Sequence, residues 1–303
     1  MGKYYIFQKE EMTMEKIYIV YNPLSCSGEG KAHAEKAASF YKDAEVIFKD
    51  ICATTYGDIF AEAAPEDKVI ICGGDGTLNH FVNDTKDVSF TNSIFYFATG
   101  TGNDFLRDIE GVQGEAPICI DKYIKNLPEV SVQGKKYRFL NGMGYGIDGY
   151  CCEMGDKMRA QKKEKINYTA IAIKGLLFHY KPANATVIVD GKEYNYKKVW
   201  IAPTMKGRFY GGGMMPCPKQ DRLSEDGTVS VMLFHGTGKI STLMIFPSLF
   251  KGEHVKHTKH VTVHTGKKIT VRFDSPRPAQ VDGETVTGVT EYTVEAGVPA
   301  IVE

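Results

Sequence analysis

Along the first third of the chain, short apolar runs alternate with amphipathic stretches. Residues 16–21 (KIYIVY), 45–48, 68–72 (KVIIC) and 93–97 (SIFYF) are rich in β-branched and aromatic side chains, and they predict four strands. Residues 31–41 and 59–64 predict helices, and a third helix follows residue 75, with Leu78, Phe81 and Val82 on one face. Strands that alternate with helices predict a parallel sheet covered on both faces. From about residue 120 the pattern changes. After a short helix at 121–127, strands are predicted at 129–132, 137–142, 185–189, 197–202, 228–234, 261–264, 269–273, 279–281 and 291–295. Helical stretches at 163–178 and 240–250 interrupt them, and Asp190-Gly191 marks a hairpin. The expected fold is α/β plus β. It has an N-terminal parallel-sheet nucleotide-binding domain at 15–125 and a C-terminal antiparallel β-sandwich domain at 126–303.

Three of the first four strands run into polar, glycine-containing loops: residues 22–30 (NPLSCSGEG), 73–79 (GGDGTLN) and 98–104 (ATGTGND). Open α/β sheets bind ligands at these C-terminal strand ends. Glycines let the backbone approach a phosphate, and a helix N-terminus offers it unpaired N–H groups. Asp75 lies inside the second loop, where an acid would repel phosphate unless a cation lay between them. That loop therefore suggests a Mg-nucleotide rather than a bare anion. The plain alternative for each loop is ordinary turn chemistry. The coincidence of all three at one sheet edge favours a site.

Composition narrows the classes. The 303 residues are 43% apolar, enough for real cores, and 37 basic side chains balance 37 acidic ones. No basic excess points to nucleic acid. Seven cysteines show no CxxC pair and no disulfide framework, so reduced thiols in a cytoplasmic protein are expected. Residues 1–14 carry charges throughout and lack a signal-peptide core. The apolar run at 243–250 is broken by Pro247 and is far shorter than the ~20 residues of a spanning helix. Any membrane contact would be peripheral.

With these residues laid out, the chain resembles the diacylglycerol-kinase catalytic family, which includes bacterial lipid kinases and sphingosine kinases. The matching stretches are Asn22-Pro-Leu-Ser, Gly73-Gly-Asp-Gly-Thr-Leu-Asn79, Gly100-Thr-Gly-Asn-Asp-Phe105, Asn141-Gly-Met-Gly-Tyr-Gly-Ile-Asp148, Gly211-Gly-Gly-Met214, Asp226-Gly227 and Val281-Asp-Gly-Glu284. Gly-Gly-Asp-Gly by itself also occurs in NAD kinases and phosphofructokinases; the ordered set is specific. The resemblance implies transfer of the γ-phosphoryl of ATP to a lipid hydroxyl, with Mg²⁺ required and diacylglycerol the first acceptor to test. It also implies a transient visit to the inner membrane surface and a place in lipid metabolism. Oligomeric state is left open, with a homodimer among the options.

The same resemblance assigns roles. Asn22, Pro23, Leu24, Ser25 and Cys26 would meet the nucleotide phosphates. Gly73, Gly74, Asp75, Gly76, Thr77, Leu78 and Asn79 would wrap the triphosphate, joined by Thr101, Asn103, Asp104 and Thr54. Asp282 and Glu284 are the candidates for the base that takes the acceptor proton, Glu284 being preferred. In extended chain the two would share a face. The alternative for Asp282-Gly283 is a hairpin turn, and that for Asp104 is a helix cap. A structural Mg²⁺ would be held by Asp226 with the carbonyls of Leu223 and Thr228; Asp221 or Glu225 could take part in the longer loop found here. His254, His257 and His260 lack metal-site partners and suggest a solvated basic segment. Arg107 is expected at the surface, near where negative charge would collect. Two other classes are kept: an NAD-kinase-like enzyme with a soluble acceptor, and a non-catalytic nucleotide- or lipid-binding regulator.

Overall fold

The computed structural model describes residues 15–161 and 166–297. Among them, the chain opens with β1 (Lys16–Tyr21), α1 (Gly30–Ala38), β2 (Glu45–Asp50), α2 (Tyr56–Glu62), β3 (Lys68–Gly73), α3 (Asp75–Asp84), β4 (Ile94–Ala98), α4 (Asp104–Asp108), β5 (Ile118–Cys119) and α5 (Asp121–Ile124). These strands form one sheet in the order β2-β1-β3-β4-β5, parallel except for the short antiparallel edge β5. The continuous apolar runs of β1 and β3 are buried on both faces, as a covered parallel sheet requires. Ala34 and Ala37 of α1 pack on one face against Ile17, Ile19 and Ile70. Ile59 and Phe60 of α2 and Leu78 and Phe81 of α3 pack on the other, against Tyr18, Val69 and Ile71. Strand order reverses between β1 and β3, so the loops leaving these two strands flank the crevice at the switch point.

The second half contains β6 (Glu129–Val132), β7 (Lys135–Arg138), β8 (Gly142–Tyr145), α6 (Ile147–Ala160) and α7 (Tyr168–Lys174), which continues as a π turn at Gly175–His179. Then come β9 (Ala183–Val189), β10 (Lys192–Val199), β11 (Thr204–Met205), β12 (Val229–Phe234), α8 (Lys239–Ile245), two short 3₁₀ turns, β13 (Val261–Gly266), β14 (Lys268–Val281) and β15 (Glu284–Glu295). They form an antiparallel sheet with β14 as its spine. The first part of β14 pairs with β9, its last part pairs with β8, and β15 pairs along its other edge. Val187, Val231, Val271 and Tyr292 from four different strands meet in one core, so the sheet folds over itself as a sandwich does. Helices α6 to α8 cover a second core around Trp200, Leu176 and Phe234.

The expected strands at 269–273 and 279–281 are one strand. Pro276 and Pro278 cannot donate to the ladder, and the register shifts there without breaking the strand. Helix α6 was not anticipated from the sequence. Its buried positions Ile147, Cys151 and Gly155 recur every four residues, but Gly149 and Gly155 hide the period. The expected helix at 163–178 begins in part outside the described residues. Asp190-Gly191 is a two-residue hairpin turn as expected, with φ of 48° and 84° and Val189 opposite Lys192.

Candidate active site

Helix α3 organises the site, because it touches both halves of the molecule within one turn. At its start, the Asp75 carboxylate accepts from the backbone N–H of Asp104 (2.9 Å) and Phe105 (3.0 Å). Those are the first amides of α4, which have no partner within their own helix. Asp75 therefore caps α4 from the first turn of α3. Four residues on, Asn79 Nδ2 donates to Asp282 Oδ2 at 2.9 Å, and His80 Nε2 lies 3.8 Å from Glu284 Oε1. Residues i and i+4 share a helix face, so the glycine loop and the distant acids meet on one side of α3.

The three strand-end loops pack on one another. A Cβ on Gly100 would lie 2.9 Å from the Gly74 Cα, so neither loop admits a side chain where they cross. Cys26 Sγ lies 3.3 Å from both the Thr99 carbonyl and its hydroxyl, tying the first loop to the third. Within the first loop, Asn22 Oδ1 accepts from the Leu24 amide, while Ser25 Oγ donates to the Asn22 carbonyl. Pro23 is half-buried, and the Leu24 side chain faces solvent. Gly73 ends β3 with Thr77 directly over it, and Gly76 has open space where a Cβ would be. Leu78 is fully buried in the core beneath the sheet, so only its backbone can meet a ligand. Thr101 is exposed and Thr54 half-buried, whereas Thr55 is engaged as the cap of α2 in a reciprocal pair with Asp58. Asn103 adopts φ 46° and donates to the Gly100 carbonyl at 2.6 Å.

Asp104 does not cap its own helix. Its Oδ2 accepts from the Gly212 amide at 2.7 Å, across the seam between the two halves, and its Oδ1 is buried with no partner among the described residues. Burial pushes this carboxyl up to about 6; the nearby charge of Asp75 adds to the rise, and the Gly212 amide opposes it. Arg107 is exposed, lies against Gly213 and stacks on Phe209.

The acids at the far side separate sharply. Asp282-Gly283 is a two-residue turn with φ of 45° and 100° joining Val281 to Glu284, so the chain there is not extended. The expectation that Asp282 and Glu284 share a face is therefore overturned. Asp282 turns inward and accepts from the amides of Leu140 (2.6 Å), Asn141 (2.9 Å) and Gly142 (2.9 Å) as well as from Asn79. Burial raises its carboxyl and these donors pull against the rise. Glu284 opens β15 with its side chain 63% exposed.

Several contacts that bind this site together were not expected from the sequence, and Arg222, Asp108 and Gln280 were not singled out at all. Arg222 is buried and donates from Nε to Asp108 (2.7 Å), from Nη1 to the Leu140 carbonyl (2.5 Å) and from Nη2 to Asn141 Oδ1 (2.9 Å), with its guanidinium over the Phe105 ring. Asn141 in turn faces Asp75, with Nδ2 3.4 Å from Oδ1. One asparagine thus touches the glycine loop, the Asp282 turn and the Asp108–Arg222 ion pair. Asp148 is buried on α6, accepts from Tyr210, and is pushed up to about 6 by burial. Gln280 Oε1 accepts from the Gly283 amide at 2.6 Å and so pins the turn that presents Glu284. His254 is fully buried with Nε2 2.8 Å from the Pro216 carbonyl, which corrects the expected solvated histidine segment; His257 is exposed.

The donor sets for cations differ in kind. An unpartnered, buried carboxylate oxygen on Asp104 beside Asp75 fits a divalent cation whose remaining ligands a bound anion or water would supply. In the loop at 218–228, Asp226 and Leu223 are exposed, and the Thr228 carbonyl accepts from Gln220 Nε2 at 2.9 Å. A carbonyl keeps a second lone pair, so the Thr228 oxygen can still accept, but among the described residues no group of three or more His, Cys, Asp or Glu side chains is placed to hold a metal ion. Asp221 Oδ1 is used internally, by the Leu223 amide.

A glycine-looped parallel sheet is joined here through buried acids to an antiparallel sandwich, and both halves match family models of kinases, which work on a hydroxyl acceptor. Residues 16–132 match the diacylglycerol kinase catalytic domain, and residues 142–302 match the YegS C-terminal NAD kinase beta sandwich-like domain. The chain belongs to this family of lipid kinases. It is similar to a diacylglycerol kinase of Mycobacterium tuberculosis, 25% identical over 86% of this chain and 85% of that one. It is also similar to a diacylglycerol kinase of Bacillus subtilis, 23% identical over 89% and 90% of the two chains. A crystal structure from Bacillus anthracis, described as that of a candidate diacylglycerol kinase, shares the fold with TM-score 0.64 at 20% identity, covering 98% of this chain and all of that one. Among the described residues, no helix is long and apolar enough to cross a membrane.

Proposed function

We propose that this protein transfers the γ-phosphoryl of ATP to the free hydroxyl of a membrane lipid, diacylglycerol first, in a Mg²⁺-dependent reaction. The observation that carries the reading is the double engagement of α3, with Asp75 against α4 at its start and Asn79 and His80 against the Asp282–Glu284 turn one helical turn later. The glycine loop and an exposed carboxylate thus lie on one side of a single rigid element, which supports a phosphate-binding role for the loop beside a base. Residues 15–125 serve the nucleotide and 126–303 the acceptor.

In this reading the loops at Asn22–Cys26, Gly73–Asn79 and Thr101–Asp104 receive the triphosphate, and Thr54 approaches it from the end of β2. Asp104, aided by Asp75, would hold the metal, whose contribution when bound is to neutralise charge developing on the transferred group. Glu284 accepts the proton of the acceptor hydroxyl and orients that oxygen. Proton loss is late in phosphoryl transfer, so orientation is its larger contribution. Asp282 fixes the turn rather than moving a proton, since its oxygens already receive four N–H donors. Asp226, with the Leu223 and Thr228 carbonyls, would hold a structural ion. The enzyme would work at the cytoplasmic face of the membrane.

A second reading is favoured by one observation: the C-terminal half matches a domain described as NAD kinase-like. That reading takes a soluble acceptor. Labelled ATP, incubated with diacylglycerol, phosphatidylglycerol, sphingosine, undecaprenol and NAD in parallel, separates the two. Label in a lipid product is the expected result. Label in NAD alone would replace the lipid reading, and ATP binding with no labelled product would leave a regulator.

A further inference from the structure

Helix α8 and the π turn after α7 lie side by side, with Lys239 Nζ donating to the Leu177 carbonyl at 2.5 Å. Their shared outer face is apolar and uncovered. Phe178 is 74% exposed, Ile240 74% and Met244 71%. Ile240 and Met244 are one turn apart and so project together. None of the three belongs to the core beneath, which is already filled by Leu176, Trp200 and Phe234. Large side chains left this bare in neighbouring elements mark an interaction surface.

The charge around the face selects its partner. The chain as a whole is balanced, with 37 basic and 37 acidic residues, yet no Asp or Glu occurs from 166 to 189 or from 227 to 252. Those two segments build the face, and their charged residues are Lys174, Lys181, Lys239 and Lys251, all exposed, with His179 and His235. Apolar side chains on two segments whose only full charges are lysines complement a surface that is apolar below and anionic above, with Glu153 and Asp156 the acids of the packed helix α6 that reach the surface.

We infer that the face formed by Phe178, Ile240 and Met244, with Lys174 and Lys239 at its rim, docks on an anionic lipid bilayer. The inference rests on the lipid-acceptor reading and identifies the side of the molecule that meets the acceptor's membrane. Helix α6 connects the two places: it packs against α7 at one side and against β14 and β15, which flank Glu284, at the other. Docking here would bring the Glu284 turn toward the interface from which a lipid headgroup must rise.

The test uses the full chain and two variants, Phe178→Asp/Ile240→Asp/Met244→Asp and Lys174→Glu/Lys239→Glu. Co-sedimentation is measured with vesicles of phosphatidylcholine alone and with added phosphatidylglycerol. The three apolar side chains are exposed, so the apolar variant should melt like wild type; the lysine variant loses the Lys239–Leu177 hydrogen bond and should melt slightly lower, still folded at the assay temperature. Wild type should bind the anionic vesicles and release with salt. The apolar variant should lose about tenfold or more in partitioning, and the lysine variant should lose its preference for anionic vesicles. Turnover of diacylglycerol in vesicles should fall in parallel, while turnover of a short-chain, water-soluble diacylglycerol stays at the wild-type level. Equal sedimentation of wild type and the apolar variant would overturn the inference. So would a wild-type dimer that the apolar variant alone dissociates, since the occupant would then be a second copy. If no lipid is phosphorylated in any form, the acceptor reading fails by itself, and the vesicle arm still decides the face.

Discussion

The two sides of the seam carry paired acids. On the glycine-loop side, Asp75 places both oxygens on the amides of α4, while Asp104 keeps one buried oxygen without a partner among the described residues. On the sandwich side, Asp282 receives three backbone amides and Asn79, while Glu284 stays largely in solvent. In each pair one carboxylate is a clamp that positions backbone, and the other has lone pairs left for chemistry. The pairs differ in how the free acid is kept. Asp104 is buried and raised to about 6, whereas Glu284 is open to solvent. Sequence spacing makes Asp282 and Glu284 look equivalent; the left-handed turn at Asp282 and Gly283 sends them in opposite directions.

The sharpest way to break the clamp assignment is Asp282→Asn. The amide would put an NH₂ among four N–H donors, and the expected loss is about 4 kcal/mol of stability, read as a fall in denaturant midpoint with turnover lost as a consequence. A variant that melts like wild type yet is inactive would make Asp282 a chemical group instead.

Asp104→Asn should do the reverse, cutting turnover by about 100-fold in a protein that is no less stable at pH 7.5. The sign follows from its raised carboxyl. The protonated form is favoured in the folded protein, so its stability contribution is full below about pH 4 and lost as pH rises through about 6. Wild type should therefore lose on the order of 2 kcal/mol between pH 4 and pH 7 that the Asn variant keeps. Superimposable stability–pH curves would remove the buried-acid argument.

Thr55→Ala should be the mildest, costing about 1 kcal/mol through loss of the α2 cap without altering the KM for ATP. Thr54→Ala should raise that KM several-fold. An unchanged KM in Thr54→Ala would withdraw that residue from the nucleotide site.

The strands of the first sheet and the loops at their ends were legible because β-branched runs ending in glycines have few other uses. The Asp190-Gly191 hairpin was legible for the same kind of reason. The links across the seam were not. Asn141 lay in a recognisable glycine-rich stretch, but nothing in its spacing said that it would touch Asp75, Arg222 and the Asp282 turn together. Arg222 and Asp108 lie 114 residues apart, and only the closed fold makes them partners. Helix α6 was hidden because its small buried residues suit close packing on β14 better than they display a helical period. Long-range polar contacts thus arise from topology, which local pattern does not encode.

The division between clamp and chemistry is tested most directly by kcat of Glu284→Gln, at saturating ATP and acceptor, in a preparation whose melting temperature is measured alongside. The expected result is a kcat at least about 100-fold lower, with melting unchanged because the exposed Glu284 side chain supports little of the fold. A kcat within twofold of wild type would contradict the account, since the carboxylate left free at the turn would then do nothing that water does not.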